Sequence, residues 1–303
     1  MAISFQADGV YAAYARPVTG GKPAVEWLSF HPSAIDSPAS ALDKLERERK
    51  TAQYQCSCLL GTRDYQMVSV DAPAVPAEEM KSAVRWVLKD MLDFSVEEAT
   101  IDVLRVPADK GMAARNSTLL AIAARNQLIQ QRQALFDEVK ATLKAIDIPD
   151  MAQRNISALL EQEERAIALL SVSEEGTLVT VTCGGELYFS RHIDIVAEQL
   201  QHSDPESTLA LQERITLELQ RSMDYFDRQY PSTPLAKLVI APMEGTDIKL
   251  RDYLAANLYV PVETLDLSSI LDLSRTPELG TKIMQQRYFR VIGAALRQEE
   301  TAP

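Results

Sequence analysis

Two stretches of this chain repeat one pattern, and that repetition limits the fold more than any other feature of it. Ile3–Tyr14 reads as two short strands around Asp8–Gly9, with a third strand at Ala24–Phe30. Ala166–Ser173, Thr177–Thr182 and Leu187–Ile193 read as three more strands, the last two joined through Gly184–Gly185. Asp-Gly and Gly-Gly mark tight turns because glycine takes positive φ without steric cost. Each strand set leads into helices, so the chain reads as a mixed α/β protein of two similar halves. Its 303 residues leave room for about two domains at ~100–200 residues each.

The other elements follow from caps and periodicity. Ser37-Pro38 opens a helix to about Lys50, and Cys56–Leu60 and Tyr65–Val70 read as strands. Pro76–Leu92 reads as a helix with Glu78 and Glu79 at its positive end and Met80, Val84, Val87, Leu88 and Met91 on one apolar face. Strands are expected at Thr100–Val106 and Ser117–Ala123, then a long helix over Asn126–Lys144 and another over Asp150–Leu160. Asp204-Pro205 caps a helix to about Gln229 that buries Leu211, Ile215, Leu219 and Phe226. Leu238–Ala241 and Val260–Leu265 read as strands around a helix at Asp247–Asn257, and Thr281–Leu296 as the last helix.

Composition removes several functions. Apolar residues make up 46% of the chain, enough for a sizeable core, and the net charge of −12 argues against wrapping nucleic acid or lying on an anionic membrane by charge alone. No apolar run approaches the ~18 residues of a membrane span, and Met1–Tyr11 lacks the basic start of a signal peptide, so a cytoplasmic protein is expected. Cys56 and Cys58 read as small apolar strand residues, and the 3 histidines, His31, His192 and His202, have no metal-ligand spacing. No metal site is expected.

No phosphate-loop, dinucleotide or nucleophile-elbow motif occurs. The 11 glycines are about half of average usage, and phosphate loops need glycine where backbone approaches an anion. Glu161, Glu163 and Glu164 form one acidic cluster and Glu174–Glu175 another; both read as solvated charge, without a His or Lys at a spacing that suggests acid–base work. No catalytic residue is assigned.

Several segments carry a family resemblance. Tyr65–Met80 leads into Ala83-Val-Arg-Trp-Val-Leu-Lys-Asp-Met-Leu92; later come Ile146–Ile156, Gly185–Arg191 and Glu218-Leu-Gln-Arg-Ser-Met-Asp-Tyr-Phe226. Together these resemble the MshI-type proteins of the mannose-sensitive haemagglutinin (MSHA) pilus and, more broadly, the PilM family of type IV pilus assembly, over most of residues 1–297. The resemblance implies an actin-like α/β fold similar to FtsA, with two ribonuclease H-like cores. The first would be residues 1–165 with an inserted α/β subdomain at about 56–145. The second would be residues 166–303 with a reduced insert at Val196–Ser207, its final helix at 281–297 packing back on the first core.

The resemblance also implies a partner. PilM-like proteins sit at the cytoplasmic face of the inner membrane and hold the cytoplasmic N-terminal tail of a bitopic PilN-like protein in a groove between the first core and its insert. On that basis the tail should bind the 1–165 region without residues 166–280, and the membrane should be reached only through the partner. The assembly ATPase is a further candidate partner. For Arg85, Trp86, Lys89 and Asp90 two readings stay open: core packing with a solvated helix face, or an exposed edge that contacts the partner. Arg221 and Tyr225, four apart, read as a structural pair.

Many PilM-like proteins bind ATP between the two cores, and this chain departs from them at each nucleotide element. The first hairpin is Gln6-Ala-Asp8-Gly9 followed by Val10, without the serine or threonine pair. The second is Ser171-Val-Ser-Glu174-Glu175-Gly176, with Ser171 where aspartate is expected and carboxylates where small residues belong. The adenosine segment is Ala241-Pro242-Met-Glu-Gly245, with Ala241 and Pro242 in place of glycines. No cofactor is therefore expected. The expectation is a non-enzymatic adaptor; the alternatives are an ATP-binding switch or ATPase of the same platform, or a type II secretion component.

Overall fold

The computed structural model describes residues 1–34, 38–108, 118–161, 165–202, 204–245 and 247–298. The first half opens with β1 (Ala2–Gln6), β2 (Gly9–Arg16) and β3 (Ala24–Pro32), followed by α1 (Ala39–Arg49) and β4 (Gln55–Leu59). After β4 come β5 (Tyr65–Asp71), α2 (Met80–Leu88), β6 (Ala99–Arg105), β7 (Thr118–Arg125) and α3 (Asn126–Glu138). The chain returns through β8 (Thr142–Asp147) to α4 (Pro149–Ser157).

The second half holds β9 (Ala166–Ser173), β10 (Gly176–Cys183), β11 (Glu186–Ile193), α5 (Ala197–His202), α6 (Pro205–Gln229) and β12 (Leu235–Ile240). It ends with α7 (Asp247–Asn257), β13 (Val262–Thr264) and α8 (Lys282–Ala295). The two halves share one sheet topology, β3-β2-β1-β4-β8 and β11-β10-β9-β12-β13. In each, an antiparallel three-strand meander continues into two parallel strands reached by helical crossovers. The paired similarity legible in the sequence is this duplicated sheet.

Local chemistry sets the elements. Asp204 caps α6 by accepting from the Glu206 and Ser207 backbone N–H groups. Strands β9 and β10 are buried almost throughout, as central strands covered on both faces must be. At Gly9 an ideal Cβ would lie 2.4 Å from the His31 carbonyl oxygen, so only glycine lets β2 start this close to β3.

One apolar core runs between the halves, joining Ala2, Tyr11 and Val25 of the first sheet, Ile156 of α4, Ile167 and Val239 of the second sheet and Val291 and Ile292 of α8. Helix α8 thus packs against α4 and against the first sheet through β1 and β2. A third sheet, β5-β7-β6, is covered on one face by Val84 and Leu88 of α2. On its other face Leu120 and Val106 join the core of the second half.

Three expectations change. Residues 126–144 are not one helix: α3 ends at Glu138, Lys140 takes a left-handed φ of 58°, and residues 142–147 form β8. Parallel pairing with β4 overrides the local helix preference there. Because β4 and β8 both belong to the first core sheet, the inserted subdomain lies between them rather than spanning 56–145. The expected helix over Pro76–Leu92 is shorter, a 3-10 turn at Ala77–Glu79 followed by α2, and Val87 and Met91 are exposed instead of sharing the buried face of Met80, Val84 and Leu88. Ser37 and Ser117, where two elements were expected to begin, lie outside the described residues.

Candidate functional site

A cavity of about 640 Å³ lies between the halves, with Gln6 and Ala7 of the β1–β2 turn, Ser171, Glu174 and Glu175 of the β9–β10 hairpin, and Ala241 and Pro242 after β12 on its wall. The three expected nucleotide elements therefore do meet. Asp8 and Gly9 sit in the first turn but do not line the cavity, and Asp8 accepts from the Tyr11 hydroxyl at 2.8 Å. The Ser171 hydroxyl is buried and donates to Gln153 Oε1 at 2.6 Å. Gln153 in turn donates to the Leu169 carbonyl and the Thr180 hydroxyl, so Ser171 belongs to an internal hydrogen-bond network. Ala241 is buried, its N–H donating to the Leu170 carbonyl at 2.8 Å.

Glu175 is the unexpected member. Its Oε2 accepts from Arg290 of α8 at 2.7 Å and from the Thr62 backbone N–H at 3.1 Å. Its backbone carbonyl accepts from the Thr62 hydroxyl at 3.3 Å. A second Arg290 nitrogen donates to the Ser173 hydroxyl at 2.7 Å. An ideal Cβ on Gly61 would stand 2.8 Å from Glu175 Oε1, so the missing side chain at 61 leaves room for the carboxylate. The expectation of solvated charge holds for exposed Glu174 and fails for Glu175. Glu161 is also partnered: its Oε2 accepts from the Gly185 N–H at 2.7 Å, fastening the β10–β11 hairpin. Glu163 and Glu164 lie outside the described residues. A phosphate entering beside Arg290 would meet the Glu175 carboxylate, which already occupies that cation, and the wall sets Glu174, Glu198 and Glu244 against Arg63 and Arg287. These residues do not fit a triphosphate.

A second cavity, about 620 Å³, separates the inserted sheet from the second half. It is lined by every residue from Tyr65 to Ser69 and from Tyr188 to His192, joined by Met91, Tyr225 and Tyr230. A sheet face shows only alternate side chains, so consecutive lining residues mean that the groove runs along strand edges. Indeed β5 and β11 are terminal strands of their sheets. The expected groove lay between the first core and the insert; this one needs β11 and α6 of the second half. Tyr225 lies against Phe189 with ring centroids 5.5 Å apart and the planes tilted by 43°, while Arg221 pairs with Glu218 at 3.0 Å, so the expected Arg221–Tyr225 pair does not form.

One end of the groove rests on a buried polar cluster. Asp150 of α4 is fully buried and accepts from the Tyr65 hydroxyl, the Ser190 hydroxyl and His192 Nε2, the last at 3.3 Å. Burial opposes its ionisation, but the hydrogen bonds and charge of His192, with the hydroxyls of Ser190 and Tyr65, outweigh that and hold the carboxyl below its ordinary value. The same burial, with Asp150 beside it, pushes the Tyr65 phenol up. The cluster ties the insert, α4 and β11 together. Sequence reading saw Asp150 only as the start of a helix. Of the other groups, Cys56 and Cys58 are buried as expected, their thiols pushed up by burial to about 11 and about 12. His31 is buried beside the Ser29 hydroxyl at 3.1 Å.

The α2 residues separate in role. Trp86 is 75% exposed and so does not pack in the core, and Lys89 and Asp90 are exposed too, as both readings of this helix expect. Arg85 instead donates to the carbonyls of Val96 and Ala99, binding α2 to the start of β6. Replacing Trp86 by alanine should change the urea unfolding free energy by no more than about 0.5 kcal/mol, whereas Arg85→Ala should cost about 2 kcal/mol. Equal losses would contradict this division.

The family described as type IV pilus assembly protein PilM matches residues 34–203. Among solved structures, a PilM–PilN type IV pilus biogenesis complex aligns with a TM-score of 0.74 at 17% identity, covering 97% of this chain and 96% of that chain. A Bacteroides thetaiotaomicron protein of actin-like ATPase fold and unknown function aligns with a TM-score of 0.51 at 9% identity, covering 92% and 95%. The fold is thus actin-like. A sequence comparison with curated proteins finds no match.

Proposed function

Because the chain belongs to the PilM family of type IV pilus assembly proteins, we propose that it is a non-enzymatic adaptor that holds the cytoplasmic tail of a bitopic PilN-like partner. The observation that carries this reading is the groove between β5 and β11. Two sheet edges offer unpaired backbone groups to an extended segment, and Met67, Met91, Phe189 and Tyr225 offer apolar contact for its alternate side chains. A tail that is disordered alone loses entropy on docking, so such edges and a few apolar anchors suit it. The name of the aligned PilM–PilN complex supports the choice of partner.

The protein would work at the cytoplasmic face of the inner membrane, reached through that partner; no helix among the described residues is long and apolar enough to cross a membrane. The finer reading, a pilus of the MSHA type, rests on the segments around Trp86 and Tyr225, and the tail that binds best would decide it.

Fluorescence anisotropy with labelled tail peptides tests the adaptor reading. Phe189→Asp should weaken binding at least tenfold, ~1.4 kcal/mol, and N-methylation of tail residues facing either edge should do the same. Tail binding that survives both changes, or cross-links that avoid β5 and β11, would refute the groove. No binding by any pilus tail would refute the adaptor.

A further inference from the structure

The cleft between the halves carries its own anion. Arg290 is largely buried, its side chain 13% exposed, and its Nε has no hydrogen-bond partner. A desolvated guanidinium needs a counter-charge, and in this protein that charge comes from the β9–β10 hairpin. The Thr62 N–H, from the loop after β4, donates to the same carboxylate oxygen. Ser173 accepts from Arg290 and donates to the Gly176 carbonyl, fixing the guanidinium against the hairpin. Arg63 and Arg287 line the same cavity. One carboxylate thus bridges the loop after β4, the second sheet and α8.

The geometry points to Glu175 as a resident counter-anion: it fills the seat that Arg290 and the Thr62 N–H would offer an anionic ligand, and so bolts the two halves together without one. The cleft is a fixed joint, not a ligand-operated hinge, and it admits a phosphate-bearing ligand only when this carboxylate is removed. Without Glu175 the buried Arg290 cation is uncompensated and recruits an anion from solution. The space left by the side chain, between Arg290 and Gly61, is where that anion sits; the Asp64 carboxylate, which accepts from the Gly61 N–H at 2.9 Å, borders it.

Thermal unfolding of the full chain tests this with two probes, inorganic phosphate and Mg-ATP. The wild-type midpoint should not move with either at 10 mM. Glu175→Ala should melt lower and regain about 3 °C in 10 mM phosphate. The double variant E175A/R290M should lose that gain. A gain with phosphate and Mg-ATP alike assigns the seat to phosphate oxygens, and a gain with Mg-ATP alone assigns it to the nucleotide. A wild-type protein stabilised by Mg-ATP as much as the variant would overturn the proposal, and so would a folded E175A that neither anion stabilises. If E175A does not fold in phosphate-free buffer, Glu175→Ser takes its place. It loses the charge and vacates most of the same space, and it must show the same phosphate gain or the proposal fails.

Discussion

Gly293→Ala should destabilise the protein by about 3 kcal/mol, more than any surface substitution. In α8 an ideal Cβ at this position would lie 2.3 Å from the Ala152 carbonyl oxygen and 2.8 Å from its carbon. Those are backbone atoms of α4, so no rotamer change relieves the clash; the two helices must move apart. Separating them strips the Asn155 amide from the Gly293 carbonyl, a 2.9 Å bond, and opens the apolar core shared by both halves. Gly280 is the control: nothing lies within 4 Å of its ideal Cβ, so Gly280→Ala should stay within about 0.5 kcal/mol of wild type. Urea unfolding of the two variants side by side makes the comparison. A Gly293→Ala protein as stable as wild type would mean that α4 and α8 do not approach through their backbones.

The second large effect belongs to Asp150. Asp150→Asn should cost about 3 kcal/mol at neutral pH, because the ionised carboxylate accepts from Tyr65, Ser190 and His192 at once and an amide cannot accept from all three. The pH dependence has a definite sign. The carboxyl lies below its ordinary value in the folded protein, so the unfolded chain takes up its proton first as acid is added. The stabilisation is full above the unfolded value of about 4 and is lost as pH falls from there through the lowered folded value. Wild type should therefore lose stability in that window more steeply than Asp150→Asn. Parallel acid profiles of the two proteins would show that Asp150 is not held ionised.

What could be read from the sequence was mostly local. The Asp8–Gly9 and Gly184–Gly185 turns, the Asp204 cap and the buried spacing of Ile215, Leu219 and Phe226 all depend on neighbours within a few residues, and all appear in the fold. Strand β8 leaves little local signal because its pairing partner, β4, is far away in sequence, while Leu143 fits a helix tail as well as a strand. Val87 and Met91 looked buried because helical spacing marks an apolar face without saying how wide a neighbour covers it. The Glu175–Arg290 pair spans 115 residues, and the cluster around Asp150 draws on β5, α4 and β11. Neither leaves a motif, since each side chain is ordinary in its own segment and gains a role only when the two halves meet.

The return of the chain from the insert into β8 also bears on the order of folding. Cys58 pairs with Ile146 and Leu59 with Asp147, so the excursion leaves and re-enters the first sheet at adjacent places. Closing so long a loop as free chain would cost several kcal/mol of entropy and slow the search. If β5, β6 and β7 associate first, with Leu119 and Ala121 under α2, the loop shortens before β4 and β8 need to find each other. The insert then acts as a clasp that brings two distant strands within reach, and β8 joins last. In a φ-value experiment, substitutions under α2 should slow folding, whereas those at the β4–β8 contact should mainly speed unfolding.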